Sequence, residues 1–100
     1  MANIEDRTYS TRMMKMNDGT IFPVRMDDWY WHYYDWLVSD AVGKDADKVR
    51  EFCLETSKSY ARNNNIDDPV AAFTHTLAYW VQESVRYYGA DPDVKRYQSA

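Results

Sequence analysis

The apolar residues of this chain change their period at Asp27-Asp28, and that change decides most of what it can fold into. Before it, Thr8 to Met16 and Thr20 to Met26 alternate in polarity, as strands do, around Asn17-Asp18-Gly19. Asp-Gly or Asn-Asp there supplies the positive φ angles of a tight turn, so the segment predicts a β-hairpin. After it, Tyr30, Tyr34, Leu37 and Ala41 recur at i, i+4, i+7 and i+11, the spacing of one helical face. The chain is therefore expected to be mostly α, with a small N-terminal hairpin or ribbon.

Within the hairpin, Phe22, Val24 and Met26 point one way and Ile21, Pro23 and Arg25 the other. Either two-residue turn places Tyr9, Thr11 and Met13 on the Phe22 side and leaves Arg12, Met14 and Arg25 on the opposite face. Pro23 has no N–H to give a ladder, so its strand belongs at an edge or is locally irregular.

Three helices follow. Asp27 or Asp28 caps the first, which runs to Gly43, and Trp29, Trp31, Tyr33 and Trp36 make it aromatic around much of its circumference. A helix of that kind needs cover on more than one side, as at a dimer interface. Asp45 or Asp47 caps the second, whose stripe of Ala46, Val49, Phe52, Cys53, Thr56 and Tyr60 runs to Asn63-Asn64-Asn65. Asp68-Pro69 opens the third, and Val70, Phe73, Leu77, Trp80, Val81, Val85 and Tyr88 hold its period to Gly89. Residues 1–7 are expected to be a flexible N-terminus, 8–89 a single domain, and 90–100 a polar C-terminal tail. One domain of this size buries only about two-thirds of its unfolded surface, which favours a homodimer.

The basic strand ending in Phe22-Pro-Val-Arg-Met26, the acidic cap Asp27-Asp28, and the helix beginning Trp29-Tyr-Trp31 with Leu37 further along resemble the ribbon-helix-helix proteins. The likeness is to a variant with a hairpin before the reading strand and an additional helix, and Asn65-Ile66-Asp67-Asp68 falls where that family opens its last helix. It covers roughly residues 8 to 88. The resemblance implies a dimer whose ribbon lies in the DNA major groove, with outward side chains on base edges and helix N-termini on phosphates. Carried over by position, the outward residues are Ile21, Pro23 and Arg25. Arg25 is the one suited to a bidentate pair with guanine, while Ile21 and Pro23 offer apolar contact to a thymine methyl. Asp67-Asp68 departs from the small hydroxyl residues often found at that helix start, and its charges repel a phosphate.

Charge is distributed along the chain in a way that suits this reading. The net −4 divides into −2 for residues 1 to 6, +3 for residues 7 to 26 and −5 for the rest. A basic ribbon on an acidic body presents one face to a polyanion, through Arg12, Lys15 and Arg25. The alternative is an acidic, aromatic-rich protein-binding module, an adaptor or inhibitor whose partner has a basic surface, using Trp29, Trp31, Tyr33 and Trp36.

Catalytic and cofactor chemistry finds little footing. The lone Cys53 excludes an intramolecular disulfide and a multi-cysteine zinc site. Asp28, His32 and Asp35 share a helical face but lack the His and Cys spacing of recognised metal motifs. No phosphate-binding glycine loop or Gly-x-Ser-x-Gly elbow is present, so no enzyme activity, cofactor or metal is expected. The start MANIEDRTYS has no apolar core of a signal peptide and no apolar run approaches the length of a membrane span, which points to the cytoplasm.

Overall fold

The computed structural model describes residues 8–88, a two-stranded antiparallel hairpin followed by three helices. The elements are β1 (Tyr9–Lys15), β2 (Ile21–Asp27), α1 (Asp28–Val38), α2 (Ala46–Asn64) and α3 (Pro69–Tyr88). The N-terminus expected at 1–7 and the tail expected at 90–100 lie outside the described residues.

The hairpin differs from expectation at its turn. The Met16 N–H donates to the Thr20 carbonyl at 2.7 Å, and the Gly19 N–H donates to the Met16 carbonyl at 2.9 Å. The loop is therefore three residues, Asn17-Asp18-Gly19, and Gly19 takes the left-handed φ of +92° that such a loop requires at its last position. The Asp18 carboxylate accepts from the Thr20 N–H at 2.9 Å, which holds its carboxyl below the ordinary value.

One extra loop residue changes the parity of the whole pairing. Met14 now faces Phe22, Arg12 faces Val24 and Ser10 faces Met26. The expected faces are thus exchanged: Met14 and Arg12 share the side of Phe22, Val24 and Met26, and Tyr9, Thr11 and Met13 lie on the other. The 16/20 hydrogen bond also sets the alternation of the ladder. Pairs 14/22, 12/24 and 10/26 exchange hydrogen bonds, so Pro23, opposite Met13, sits where the backbone points away from β1. Its missing N–H leaves no gap in the sheet.

Met14, Met16, Phe22, Val24 and Met26 form the inner face and are buried. They meet Phe73, Leu77 and Val81 of α3 and Leu37 of α1 in one core, with Phe22 edge-on to Phe73 at 5.5 Å between ring centres. The core is made by β2, α1 and α3, with Val49 and Cys53 of α2 joining it.

Helix limits follow local hydrogen bonding. The Asp27 carboxylate accepts from the Trp29 N–H, Asp45 from Asp47 and Lys48, and Asp68 from Val70 and Ala71. At the C-terminus of α2, Asn65 adopts φ 55° and returns the chain toward α3. The first helix is shorter than expected: α1 ends at Val38, not Gly43. The Ser39 hydroxyl donates to the Trp36 carbonyl at 2.6 Å while its backbone turns extended. Gly43 serves instead in the following turn, donating to the Ser39 carbonyl at φ 84°.

Candidate nucleic-acid interface

The parity of the hairpin places Tyr9, Thr11, Met13 and Lys15 of β1 beside Ile21, Pro23 and Arg25 of β2 on the outer face of the ribbon, and all seven are exposed. Met13 and Ile21 are 68% and 54% exposed, large values for apolar side chains on a sheet. Directly opposed neighbours outward are Thr11 with Arg25, Met13 with Pro23, and Lys15 with Ile21. The face thus has an apolar centre with one cation toward each end, and at the Arg25 end the half-buried Asp27, opposite Tyr9, adds an anion. The Arg25 guanidinium lies over the Tyr9 ring at 4.8 Å, which holds it at the sheet surface without neutralising it.

Of the expected ribbon residues, the structure brings Lys15, Ile21, Pro23 and Arg25 together and removes Arg12. Arg12 turns toward α1, where two guanidinium nitrogens donate to the Asp35 carboxylate at 2.7 and 2.9 Å. Its planar head also covers the Trp31 ring at 4.4 Å. These hydrogen bonds raise the affinity of Arg12 for its proton further, and they occupy the fork that a guanine would need. Around this pair, the Trp31 ring N–H donates to the Ser10 carbonyl at 2.8 Å and the Ser10 hydroxyl to Asp28 at 2.6 Å. Asp28, Trp31 and Asp35 share one face of α1, and together they fix β1 to the helix. Arg12 is therefore a structural clamp.

Of the four residues expected at an interface on the first helix, the fold buries two in the core. Trp31 and Tyr33 are 2% and 0% exposed, buried by the chain's own hairpin and helices, while Trp29 and Trp36 are half-buried against the same core. Trp36 meets Tyr88 edge-on at 6.2 Å, and Tyr34 is buried on the side facing Arg50 of α2, its hydroxyl pushed up by burial against the opposing pull of that guanidinium. The hairpin, α2 and α3 together supply the cover that this helix demanded.

The residues that sequence reasoning missed are Tyr9, Thr11 and Met13, which join the outer face. A signal for them existed. The register that pairs Met14 with Phe22 collects Met14, Met16, Phe22, Val24 and Met26 on one face, whereas the expected register sets Tyr9 and Thr11 among the core residues.

Other chemistry is placed unfavourably. Among the described residues, no three His, Cys, Asp or Glu side chains gather where they would hold a metal ion. Cys53 is fully buried and its thiol is pushed up to about 12 by burial, so it carries almost no thiolate at neutral pH. The N-terminus of α3 is closed by Asp68, which takes the N–H groups that a phosphate would use. No helix among the described residues is long and apolar enough to cross a membrane. Comparison with known proteins returns no matching family, no similar curated protein and no similar solved structure.

Proposed function

We propose that this protein is a small ribbon-helix-helix-like regulatory protein, cytoplasmic and without catalytic activity, that binds DNA through the outer face of its β1–β2 ribbon. The observation that carries the reading is the register, which exposes Thr11, Arg25, Met13, Pro23, Lys15 and Ile21 together on one side of a two-stranded sheet. A ribbon of two strands fits the width of the major groove. Arg25 then reads guanine O6 and N7, with Thr11 beside it able to donate or accept at a neighbouring base edge. Met13, Ile21 and Pro23 provide apolar contact to thymine methyls, and Lys15 reaches a phosphate near the hairpin tip. The protein-binding alternative draws on the aromatics of α1, and burial of Trp31 and Tyr33 favours the ribbon reading over it.

Fluorescence anisotropy with a pool of random-sequence duplexes tests the proposal. With two cations on the face, the logarithm of the binding constant is expected to fall against that of salt with a slope of about −1.8 per copy. Arg25→Ala should weaken selected sites by about tenfold or more, the loss of one bidentate pair. Absence of binding in about 50 mM salt, where phosphate contacts are strongest, would refute it.

A further inference from the structure

A cavity of about 460 Å³ opens where the tip of the hairpin, the second half of α2 and the start of α3 meet. Small-molecule sites usually measure about 300–1,000 Å³, and this one lies in the lower part of that range. Its floor is apolar: Met16 and Phe22 of the hairpin and Ala72 of α3 are buried, and Leu54 and Ile66 add aliphatic wall. Ser57, buried on the α2 side, donates its hydroxyl proton to the Leu54 carbonyl at 2.7 Å, which leaves its oxygen able to accept.

The exposed rim of this cavity carries both signs of charge. Lys58 and Arg62 stand one turn apart on α2, Asp18 is in the hairpin loop, and Asp67 is in the connection between α2 and α3. Arg62 and Asp67 are uncommitted. The Arg62 guanidinium donates to the Ser59 hydroxyl at 3.1 Å, and among the described residues neither Arg62 nor Asp67 forms an ion pair, with each other or with any other side chain. Lys58 meets Glu55 at 3.2 Å and Asp18 accepts from the Thr20 N–H, so each keeps hydrogen-bonding capacity for a ligand.

We propose that this cavity binds a zwitterion with an apolar body, an α-amino acid bearing a large aliphatic or aromatic side chain. The buried floor takes the side chain and excludes an unpaired charge. Arg62, with Lys58 beside it, takes the carboxylate, which a guanidinium can hold through two parallel hydrogen bonds. Asp67 and Asp18 take the ammonium. A simple carboxylic acid leaves the two acidic side chains facing it unanswered, and a simple amine leaves the two cations so; an amino acid answers both with groups carried on one carbon. Met16, Thr20 and Phe22 come from the hairpin and the cations from α2, so the ligand joins two elements that the cavity separates. The inference does not depend on the ribbon binding DNA.

Titration of the full chain with L-leucine, L-methionine, L-phenylalanine and L-tryptophan, followed by proton–nitrogen correlation spectra, tests it. The expected result is saturable shifts centred on Thr20, Ser57, Ala61 and Ile66, with a dissociation constant of about 1 mM or tighter for at least one of the four. The analogues of the tightest amino acid that lack the ammonium or the carboxylate, phenylpropionate and phenethylamine in the case of phenylalanine, should each bind about tenfold or more weakly. Arg62→Ala and Asp67→Asn, both at exposed positions, should each weaken the amino acid by a similar factor with unchanged far-ultraviolet circular dichroism, and Arg25→Ala should leave its binding unchanged. Absence of saturable shifts with all four would overturn the proposal. So would equally tight binding of either analogue, or binding indifferent to both Arg62→Ala and Asp67→Asn.

Discussion

Arg12→Ala is a test of the register that can be read without any ligand. The substitution removes a bidentate pair with Asp35 and a guanidinium lying 4.4 Å from the centre of Trp31. Both members of the ion pair are about half exposed, 45% and 54%, so solvent screens it and its share is about 0.5–1 kcal/mol. The ring contact contributes about 0.5–1 kcal/mol more. Urea unfolding should therefore show a loss of about 1–2 kcal/mol, equivalent to about 5–10 °C in Tm for a domain of this size. Asp35→Ala removes the ion pair and keeps the stacking, so it should cost less. The double-mutant cycle should give a coupling of about 0.5–1 kcal/mol that shrinks as salt rises. Arg12→Lys should fall between, since an ammonium cannot fork the carboxylate or lie flat on the indole. An Arg12→Ala protein of unchanged stability, with no coupling to Asp35, would mean that Arg12 faces outward and that the three-residue loop is wrong.

Three further outcomes follow from the core and the caps. Phe73→Ala, at a fully buried ring packed on Phe22, should cost about 3–5 kcal/mol by urea titration. Asp68→Ala frees two N–H groups at the start of α3 and should cost about 1 kcal/mol by the same measurement. For Cys53, the folded thiol at about 12 lies above its ordinary value of 9.0, so the unfolded chain loses its proton first. Its contribution is complete below about pH 9 and declines between 9 and 12 by about 1.4 kcal/mol per pH unit. Against Cys53→Ala, that excess slope should be visible in unfolding at pH 8 to 10.5, and equal slopes would show the thiol to be solvated.

Much of the fold was legible because it rests on local chemistry. The change of period at Asp27-Asp28, the caps Asp45 and Asp68, Pro69 at the first helical position and the asparagine stop of α2 all act within a few residues. The parity of the hairpin was harder to read, since Asn17-Asp18-Gly19 accommodates two-residue and three-residue loops alike. Both strands also place apolar side chains on both faces, as Met13 beside Met14 and Ile21 beside Phe22, so alternation alone did not decide. Gly43 suggested the end of the first helix, but Ser39 ended it earlier through a bond to Trp36 that propensity does not encode. The aromatic circumference of α1 correctly signalled burial on several sides. Whether a second chain or the rest of this one supplies that cover is a tertiary matter, and here Arg12, Arg50 and Tyr88 come from three other elements.

The candidate site divides along the same line. Ile21, Pro23 and Arg25 belong to the strand that carries its own clear alternation, and they share the outer face, whereas Lys15, on β1, reaches that face through the three-residue loop. Arg12 was placed through the turn, and a single loop residue moved it to the inner side.

The most direct measurement of the central claim compares Arg12→Ala and Arg25→Ala for DNA affinity at a temperature where both are folded. The expected result is a loss of about tenfold or more for Arg25→Ala and an affinity within about twofold of the parent for Arg12→Ala. Equal losses from the two, or a loss from Arg12→Ala alone, would contradict the assignment of the outer face.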